Sequence, residues 1–298
     1  MVVALLLAAC SQGGHKAAPA GDRPLTVGSF AFTESSVVAE LYAQSLETDG
    51  IAVRRAPGLG SREQVEPALE QGAVDIVPEY VGTALRFLDE SAEANIDLSN
   101  ADAAYRRLQA AFAPRGITVL TPAAAQDRNG IAVTKATAGR LRLAKVSDLA
   151  PVASGMVLGG PPECPERPFC LIGLRAVYGL TFKAFRPLDA SGPDTVAALE
   201  GAEVDVAVLF TTAPALATKD FVLLDDDRHL QPAENLVPAV RTEALGRYGG
   251  RVRPALDAVS RDLRTEDLIA LNRQVDDDHR APGDVAREWL ASHGLRPR

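Results

Sequence analysis

Residues 75–85 read D-I-V-P-E-Y-V-G-T-A-L, and this stretch decides how the rest of the sequence is interpreted. It begins as a short apolar strand, passes through Tyr80, and opens a helix at Gly82 and Thr83. Open α/β sheets bind their ligands outside the carboxyl ends of their strands, where this stretch presents a tyrosine and a hydroxyl. Tyr80 is therefore a candidate ligand contact, although the same pattern also fits an ordinary buried or rim aromatic.

A second stretch repeats this pattern. Residues 68–77 read A-L-E-Q-G-A-V-D-I-V, and residues 198–207 read A-L-E-G-A-E-V-D-V-A. In each, a helix end and a glycine-containing stop precede an apolar strand with an aspartate at or near its start. Five residues after that aspartate stands Tyr80 in the first stretch and Phe210 in the second. Chance can produce such an echo in βα units, but we favour two similar lobes that each present one ring to a shared cleft.

Length and composition are those of a globular protein. The 298 residues are enough for one large or two medium domains, and 47% apolar with 23% charged residues is ordinary for a soluble chain. The net charge is −8, and no run of lysines and arginines is present. Because nucleic-acid binding requires a basic face, we expect no nucleic-acid partner.

The N-terminus resembles a secretory signal. Residues 2–9, V-V-A-L-L-L-A-A, are apolar but too few to span a bilayer. The end of this run with the next residue, L-A-A-C (7–10), resembles the lipobox of bacterial lipoproteins, which predicts lipidation of Cys10. The alternative is a signal peptide whose cysteine is incidental. We expect residues 1–23 to be a lipoprotein signal and tether. The protein is then extracytoplasmic and lipid-anchored to the cell membrane.

Two further cysteines lie six residues apart. Cys164 and Cys170 flank the proline-rich stretch E-C-P-E-R-P-F-C, and export makes a disulfide between them plausible. Two cysteines alone cannot complete a tetrahedral zinc site, and the four histidines are scattered along the chain. We expect no metal and no cofactor.

Strands and helices alternate along most of the chain, which predicts a mostly parallel sheet covered by helices. Irregular stretches at 121–129 and at 225–227 interrupt the alternation, and the chain is helical in pattern from Arg253 onward. Two lobes with two hinge crossovers follow, with the helical tail packed on the first. Lobe one is predicted to comprise residues 24–127 plus 226–298, and lobe two residues 128–225.

Six motifs resemble those of a known family, the substrate-binding proteins of ABC importers for glycine betaine, choline and related osmoprotectants. The resemblance covers about residues 24–296. It implies the two-lobed fold of type II periplasmic binding proteins, with the ligand cleft between the lobes. The motifs are G-S-F-A-F-T-E (28–34), A-E-L-Y-A-Q-S-L-E (39–47), V-P-E-Y-V-G-T-A (77–84), V-Y-G-L-T-F (177–182), E-V-D-V-A-V-L-F-T-T (203–212) and L-D-D-D-R-H-L-Q-P-A-E-N-L-V-P-A-V-R (224–241).

The same resemblance implies an aromatic cage that receives a quaternary ammonium through cation–π contacts. Tyr80 matches one cage tyrosine, and Thr83 matches a nearby position whose hydroxyl contacts the ligand. Phe210 falls at another cage position, where it keeps the ring and lacks the hydroxyl. Gly130 and Val196 align with two further cage tyrosines, which this chain has therefore lost.

Two more positions bear on the ligand. Phe30 stands where the family often has a lysine. Arg167 lies where the family carries an arginine that can pair with the ligand carboxylate. Losing two rings would cost roughly 1–4 kcal/mol, about 5- to 1000-fold in affinity. The resemblance therefore implies an importer component whose cleft either binds betaine weakly or accepts a larger, less charged or aromatic solute.

The predicted partners are a small solute and a membrane permease, and we expect a monomer. A ligand sensor on the same fold remains an alternative, since its cleft chemistry would be identical. An enzyme is not expected, because the sequence has no G-x-S-x-G elbow, no H-E-x-x-H, no Walker loop and no Rossmann glycine fingerprint.

Overall fold

The computed structural model describes residues 23–88, 100–248 and 250–295. Strands and helices alternate in its first part, as the sequence predicts. Gly50, at φ +71°, takes the left-handed conformation just past the end of the first helix. The elements of this part are β1 (Leu25–Gly28), α1 (Thr33–Thr48), β2 (Val53–Ala56), α2 (Arg62–Glu70), β3 (Ile76–Tyr80), α3 (Val81–Leu88), α4 (Ala101–Phe112) and β4 (Ile117–Val119).

The rest of the chain continues the alternation and ends in helices. The middle part comprises β5 (Asn129–Thr134), α5 (Lys135–Leu141), β6 (Val157–Gly160), α6 (Leu171–Tyr178), β7 (Ala184–Pro187), α7 (Pro193–Glu200), β8 (Val206–Phe210), α8 (Ala215–Thr218) and β9 (Phe221–Leu224). The last part comprises β10 (Leu236–Arg241), α9 (Thr242–Arg247), α10 (Val252–Asp262), α11 (Thr265–Asp276) and α12 (Pro282–Ser292).

The described strands form two five-stranded sheets, one in each lobe. Lobe one has the order β2-β1-β3-β10-β4, and lobe two has the order β7-β6-β8-β5-β9. Both sheets are mixed, so the prediction of a mostly parallel sheet is wrong: in each sheet one strand runs in the other direction and makes two antiparallel pairs. The pairs β1–β2, β1–β3, β6–β7 and β6–β8 are parallel, while β10 and β5 run antiparallel to their neighbours. The two-lobed α/β fold predicted from the sequence is confirmed.

Strand β10 is the element that the sequence pattern does not reveal. It inserts between β3 and β4, with Leu236 opposite Tyr80 and Pro238 opposite Pro78. A proline in the middle of a run argues against a central strand, because it cannot donate a ladder hydrogen bond. The strand brings the chain back from lobe two to lobe one, immediately beside the Tyr80 strand.

Helix α1 occupies the centre of the lobe-one core. Its apolar face, including Val37, Leu41 and Tyr42, is buried against β1 on one side and against α10, α11 and α12 on the other. A second cluster on the opposite face of the sheet is made by α2, α3 and α4. Because the helical tail covers α1, the amino end of α1 is held rigidly at the edge that faces lobe two.

Candidate ligand-binding site between the lobes

A cavity of about 550 Å³ lies between the two lobes. Lobe one lines it with the turns that follow β1 and β2 and with α11. Lobe two lines it with the turns that follow β7 and β8. Carboxyl ends of strands from both sheets therefore meet at one cavity, as expected for an open α/β sheet. The lining includes Phe32, Thr33, Glu34, Gly58, Asp189, Ser191, Phe210, Thr212, Asn272 and Asp276.

Four aromatic rings meet at this cavity, with Phe32 at their centre. Its ring centroid lies 5.8 Å from Phe30 in a stacked arrangement and 6.1 Å from Tyr80 in a tilted one. Phe210, from lobe two, meets it edge to face at 5.2 Å. Phe30, Tyr80 and Phe210 are thus brought together as a group. Sequence reasoning missed Phe32, although it stands in the G-S-F-A-F-T-E motif, two residues after Phe30.

The four rings differ in their access to the cavity. Phe32 and Phe210 line it. Phe30 and Tyr80 are buried behind them, with 4% and 6% of their surfaces exposed. The lobe-one ring that faces the cavity is therefore Phe32, and Phe30 and Tyr80 support it.

The hydroxyl of Tyr80 is already engaged. It donates a hydrogen bond to Glu34 Oε1 at 2.8 Å. The other oxygen of Glu34 accepts from Thr212 Oγ1 at 2.6 Å and from Asn272 Nδ2 at 2.9 Å. Glu34 thus joins β3, the turn after β8 and α11 at the floor of the cavity. Its place in the G-S-F-A-F-T-E motif is the sequence signal for this role, which sequence reasoning also missed.

The charge of the cavity lining is negative. Three carboxyl groups line it, those of Glu34, Asp189 and Asp276, and no lysine, arginine or histidine is among the described lining residues. Burial raises the pKa of Glu34 and also that of Asp276. The loss of two cage tyrosines predicts a more apolar cleft. The structure instead shows rings combined with carboxyl groups, which suits a cation.

Thr83 lies outside the cavity. Its hydroxyl oxygen accepts a hydrogen bond from Arg62 Nη2 at 3.2 Å. Arg62 also makes two bonds to Glu79, at 2.9 and 2.8 Å, and lies over the ring of Phe30, 5.2 Å from its centroid. The backbone N–H of Thr83 donates to Glu234 at 2.9 Å. These bonds fix the turn from β3 to α3 from inside lobe one.

Gly130 and Val196 also lie away from the interlobe cavity. Gly130, on β5, lines a separate cavity of about 610 Å³ bounded by lobe two and the second crossover. A Cβ atom at Gly130 would come within 2.3 Å of Leu223 Cδ1 and 2.8 Å of the Leu209 carbonyl oxygen, so a larger side chain does not fit there. Val196 is half-buried on α7, where it packs on the lobe-two core.

Arg167 reaches from lobe two to lobe one instead of into the cavity. Cys164 and Cys170 are disulfide-bonded, with their Cα atoms 5.2 Å apart, and Arg167 lies in the loop that they close. Its Nη2 atom contacts Glu63 Oε1 at 2.6 Å, and its guanidinium lies 5.4 Å from the centroid of the Phe87 ring. The arginine expected to meet a ligand carboxylate forms an interlobe ion pair in this structure.

Replacing Arg167 with alanine is expected to change the affinity for a cationic solute such as choline by no more than about fivefold. The pair with Glu63 is partly exposed, and such pairs contribute about 0.2–1 kcal/mol. Glu63→Gln is the matched variant, and titration calorimetry should give the same small effect for both. A loss of affinity above tenfold for glycine betaine, with choline unaffected, would instead show that Arg167 contacts a ligand carboxylate.

The predictions of a lipid anchor and of no metal site can be compared only with the residues that the structure describes. Cys10 lies outside them, so its lipidation stays a prediction. Within the described residues, no helix combines the length and the apolar character needed to cross a bilayer. Nor is any group of three or more histidine, cysteine, aspartate or glutamate side chains arranged there to hold a metal ion.

Two α/β lobes around a cavity lined with rings and carboxyl groups define a solute-binding protein. Residues 23–292 match the family model described as the substrate binding domain of an ABC-type glycine betaine transport system. The chain belongs to this family and is a substrate-binding protein of an ABC transport system. Members of the family are transport solute-binding proteins rather than enzymes.

Individual relatives agree with this assignment. The chain is 31% identical over 287 residues to the glycine-betaine-binding protein of Pseudomonas aeruginosa, covering 91% of this chain and 88% of the relative. It is 26% identical to the glycine betaine-binding protein YehZ of Escherichia coli, covering 91% of each. A crystal structure of a glycine betaine/carnitine/choline ABC transporter aligns with a TM-score of 0.71 at 25% identity, covering 91% of this chain and 99% of that one.

Proposed function

We propose that this protein binds a small organic cation with a quaternary ammonium group, and binds choline more tightly than the zwitterion glycine betaine. The observation that carries the proposal is the lining of the interlobe cavity. Two rings, Phe32 and Phe210, line the cavity with three carboxyl groups, and no basic side chain is among the described lining residues. A quaternary ammonium gains from both features, by cation–π attraction and by Coulomb attraction.

The carboxylate of glycine betaine would find no basic side chain among the described lining residues. A buried anion is costly unless it is paired, and here its neighbours would be Glu34, Asp189 and Asp276. Two further observations support this argument. Phe30 stands where the family often has a lysine, and Arg167 is paired with Glu63. Choline carries a hydroxyl in place of the carboxylate and avoids this cost.

Binding of the ligand is proposed to favour closure of the two lobes. Only a closed arrangement lets Phe32 from lobe one and Phe210 from lobe two contact one small solute, so binding shifts the population toward closure. The proposed hinge is the pair of crossovers between residues 24–127 plus 226–298 and residues 128–225. Support comes from the connections, since β4 leads to β5 and β9 leads back to β10.

The proposed cellular setting is extracytoplasmic. Cys10 anchors the protein as a lipoprotein, and the closed monomer delivers its solute to an ABC permease in the same membrane. The family supports the permease partner, and the sequence L-A-A-C supports the anchor. The net charge of −8 supports the absence of a nucleic-acid partner.

The direct test is a calorimetric titration of the purified protein with choline, glycine betaine, carnitine and a set of uncharged aromatic and polyol solutes. We expect choline to bind with a micromolar Kd and glycine betaine at least about tenfold more weakly, the difference that one unpaired buried charge readily produces. Tighter binding of glycine betaine than of choline would contradict the proposed preference. Binding of an uncharged solute without any cation binding would contradict the proposed ligand class.

A further inference from the structure

Two buried carboxyl groups, Glu34 and Asp127, lie on either side of Thr212 where the lobes meet. Glu34 accepts the Thr212 hydroxyl, and Asp127 accepts the Thr212 backbone N–H at 3.1 Å and the Thr211 hydroxyl at 3.1 Å. Their exposed fractions are 2% and 6%. Among the described residues, neither carboxyl makes an ion pair with a lysine, arginine or histidine.

The groups that face this pair do not neutralise it. From β3 comes the phenol of Tyr80, and from α11 come the amide of Asn272 and the carboxyl of Asp276. From lobe two come only hydroxyl and backbone N–H groups of Thr211 and Thr212. Every titratable group among them is therefore an acid.

Keeping Glu34 and Asp127 ionised at the same time is costly, because both are buried and, in the described part of the chain, no cationic side chain faces them. Burial raises the pKa of Glu34, and burial together with the charge of Glu34 raises the pKa of Asp127 well above its ordinary value. Burial and the charge of Glu34 also raise the pKa of Tyr80, so its hydroxyl stays protonated and can donate. A proton on either carboxyl reduces their repulsion, so the titration of each group depends on the charge of the other.

The Asn272 side chain can serve both protonation states. Its Nδ2 donates to an ionised Glu34, while its Oδ1, buried at the cavity wall, has no hydrogen-bond partner among the described residues. Turning the amide over would place Oδ1 against Glu34, where it could accept a hydrogen bond from the protonated carboxyl. The same amide can therefore bond to either protonation state of Glu34.

We propose that the ligand's cation and a proton compete for the Glu34–Asp127 pair, so that binding of a cation in the interlobe cavity releases a proton to solvent. This inference rests on the proposed function, since it concerns the same cavity. Glu34 lines that cavity, and a quaternary ammonium beside it replaces the positive charge of the proton. In the step, the O–H bond of the carboxyl breaks, the proton passes to buffer, and the carboxylate keeps the electron pair.

Affinity must then rise with pH. At low pH the pair holds its proton, and the cation meets a less negative wall. At higher pH the pair is ionised before binding, and the cation meets the full charge. By linkage, release of one proton changes the Kd by up to tenfold per pH unit.

The experiment is a titration of the protein with choline chloride in phosphate and in ACES buffer at each of several pH values from 6 to 7.5, a range that both buffers cover. Because these buffers differ in ionisation enthalpy, the difference in observed heat counts the protons released. We expect about 0.5–1 proton near the lower end and a Kd that falls about tenfold over the range. Glu34→Gln and Asp127→Asn should each reduce the released protons to near zero, and Asp278→Asn, an exposed acid just after α11, should behave as wild type.

The outcomes separate this inference from the proposed function. Choline binding with a Kd that is constant across pH and with no difference between buffers would overturn proton competition and leave the ligand assignment intact. Absence of choline binding at every pH would overturn both. The wild-type measurement in two buffers decides the question even if a variant fails to fold.

Discussion

Replacing Phe32 with alanine is expected to lower the affinity for choline about 10- to 100-fold. One ring face contributes roughly 0.5–2 kcal/mol of cation–π attraction, and more when the site is dry. Phe32 also supports its neighbours, since it contacts Phe30, Tyr80 and Phe210. Removing it therefore takes away one ligand contact and lets the lobe-two ring shift. The measurement is the Kd for choline by calorimetry at constant pH.

Phe185→Ala is the matched control for this prediction. Phe185 is a half-buried phenylalanine on β7 that packs on the lobe-two core, outside the interlobe cavity. Its removal should lower the melting temperature without changing the Kd by more than about twofold, because no ligand contact is lost. Equal losses of affinity in the two variants would show that the effect of Phe32 reflects general stability rather than ligand contact.

Replacing Glu66 with glutamine is expected to stabilise the protein at alkaline pH. Glu66 lies on α2 with 2% of its surface exposed, and neither of its oxygens has a hydrogen-bond partner among the described residues. Burial, and then the nearby charge of Glu79, raises its pKa to about 10. Glu234, which accepts backbone hydrogen bonds from the first turn of α3, is also buried, and burial raises its pKa to about 8. Burial therefore favours the protonated form of both groups in the folded protein.

The sign of the pH dependence follows from these shifts. Between an ordinary glutamate pKa near 4.5 and these raised values, the folded state binds protons that the unfolded state has lost. The stability that each group contributes by staying protonated is therefore fully present below about pH 4.5. It is lost as pH rises, up to about pH 8 for Glu234 and about pH 10 for Glu66. Glu66→Gln removes the larger part of this loss, because an amide stays neutral at every pH and can donate to Glu79.

Urea denaturation at pH 5 and pH 9 measures the effect. Wild type and Glu66→Gln should have similar stability at pH 5, and the variant should be more stable at pH 9 by up to about 5 kcal/mol, since proton uptake on folding costs roughly 1.4 kcal/mol over each of about four pH units. Glu70→Gln is the control on the same helix, since Glu70 is exposed and pairs with Arg115. It should leave the pH dependence unchanged within about 0.5 kcal/mol. A variant that is less stable than wild type at both pH values would show that Glu66 is ionised in the folded state.

Much of the architecture could be predicted from local patterns. Short apolar runs alternating with capped helices identified most strands, and the repeated stretch ending at Tyr80 and Phe210 indicated two lobes that share a cleft. The motifs identified the family, which the family model over residues 23–292 confirms. These features depend on residues close together in sequence, where strand and helix periodicity act directly. Strand β10 could not be recognised from such patterns, because a proline argues against a central strand. Only the pairing of β10 with β3 and β4 shows that Pro238 lies in one.

Only the tertiary structure decided which side chains face the interlobe cavity. Glu34 receives its three hydrogen bonds from residues 46, 178 and 238 positions away, and no local pattern encodes such contacts. The same holds for Arg167, whose charge is directed to Glu63, 104 positions away, and for Gly130, whose space is filled by Leu223. The sequence by itself determined most of the elements, the family and the presence of rings at the cleft. The direction of each side chain depends on packing between distant segments, so the negative charge of the cavity became visible only in the folded protein.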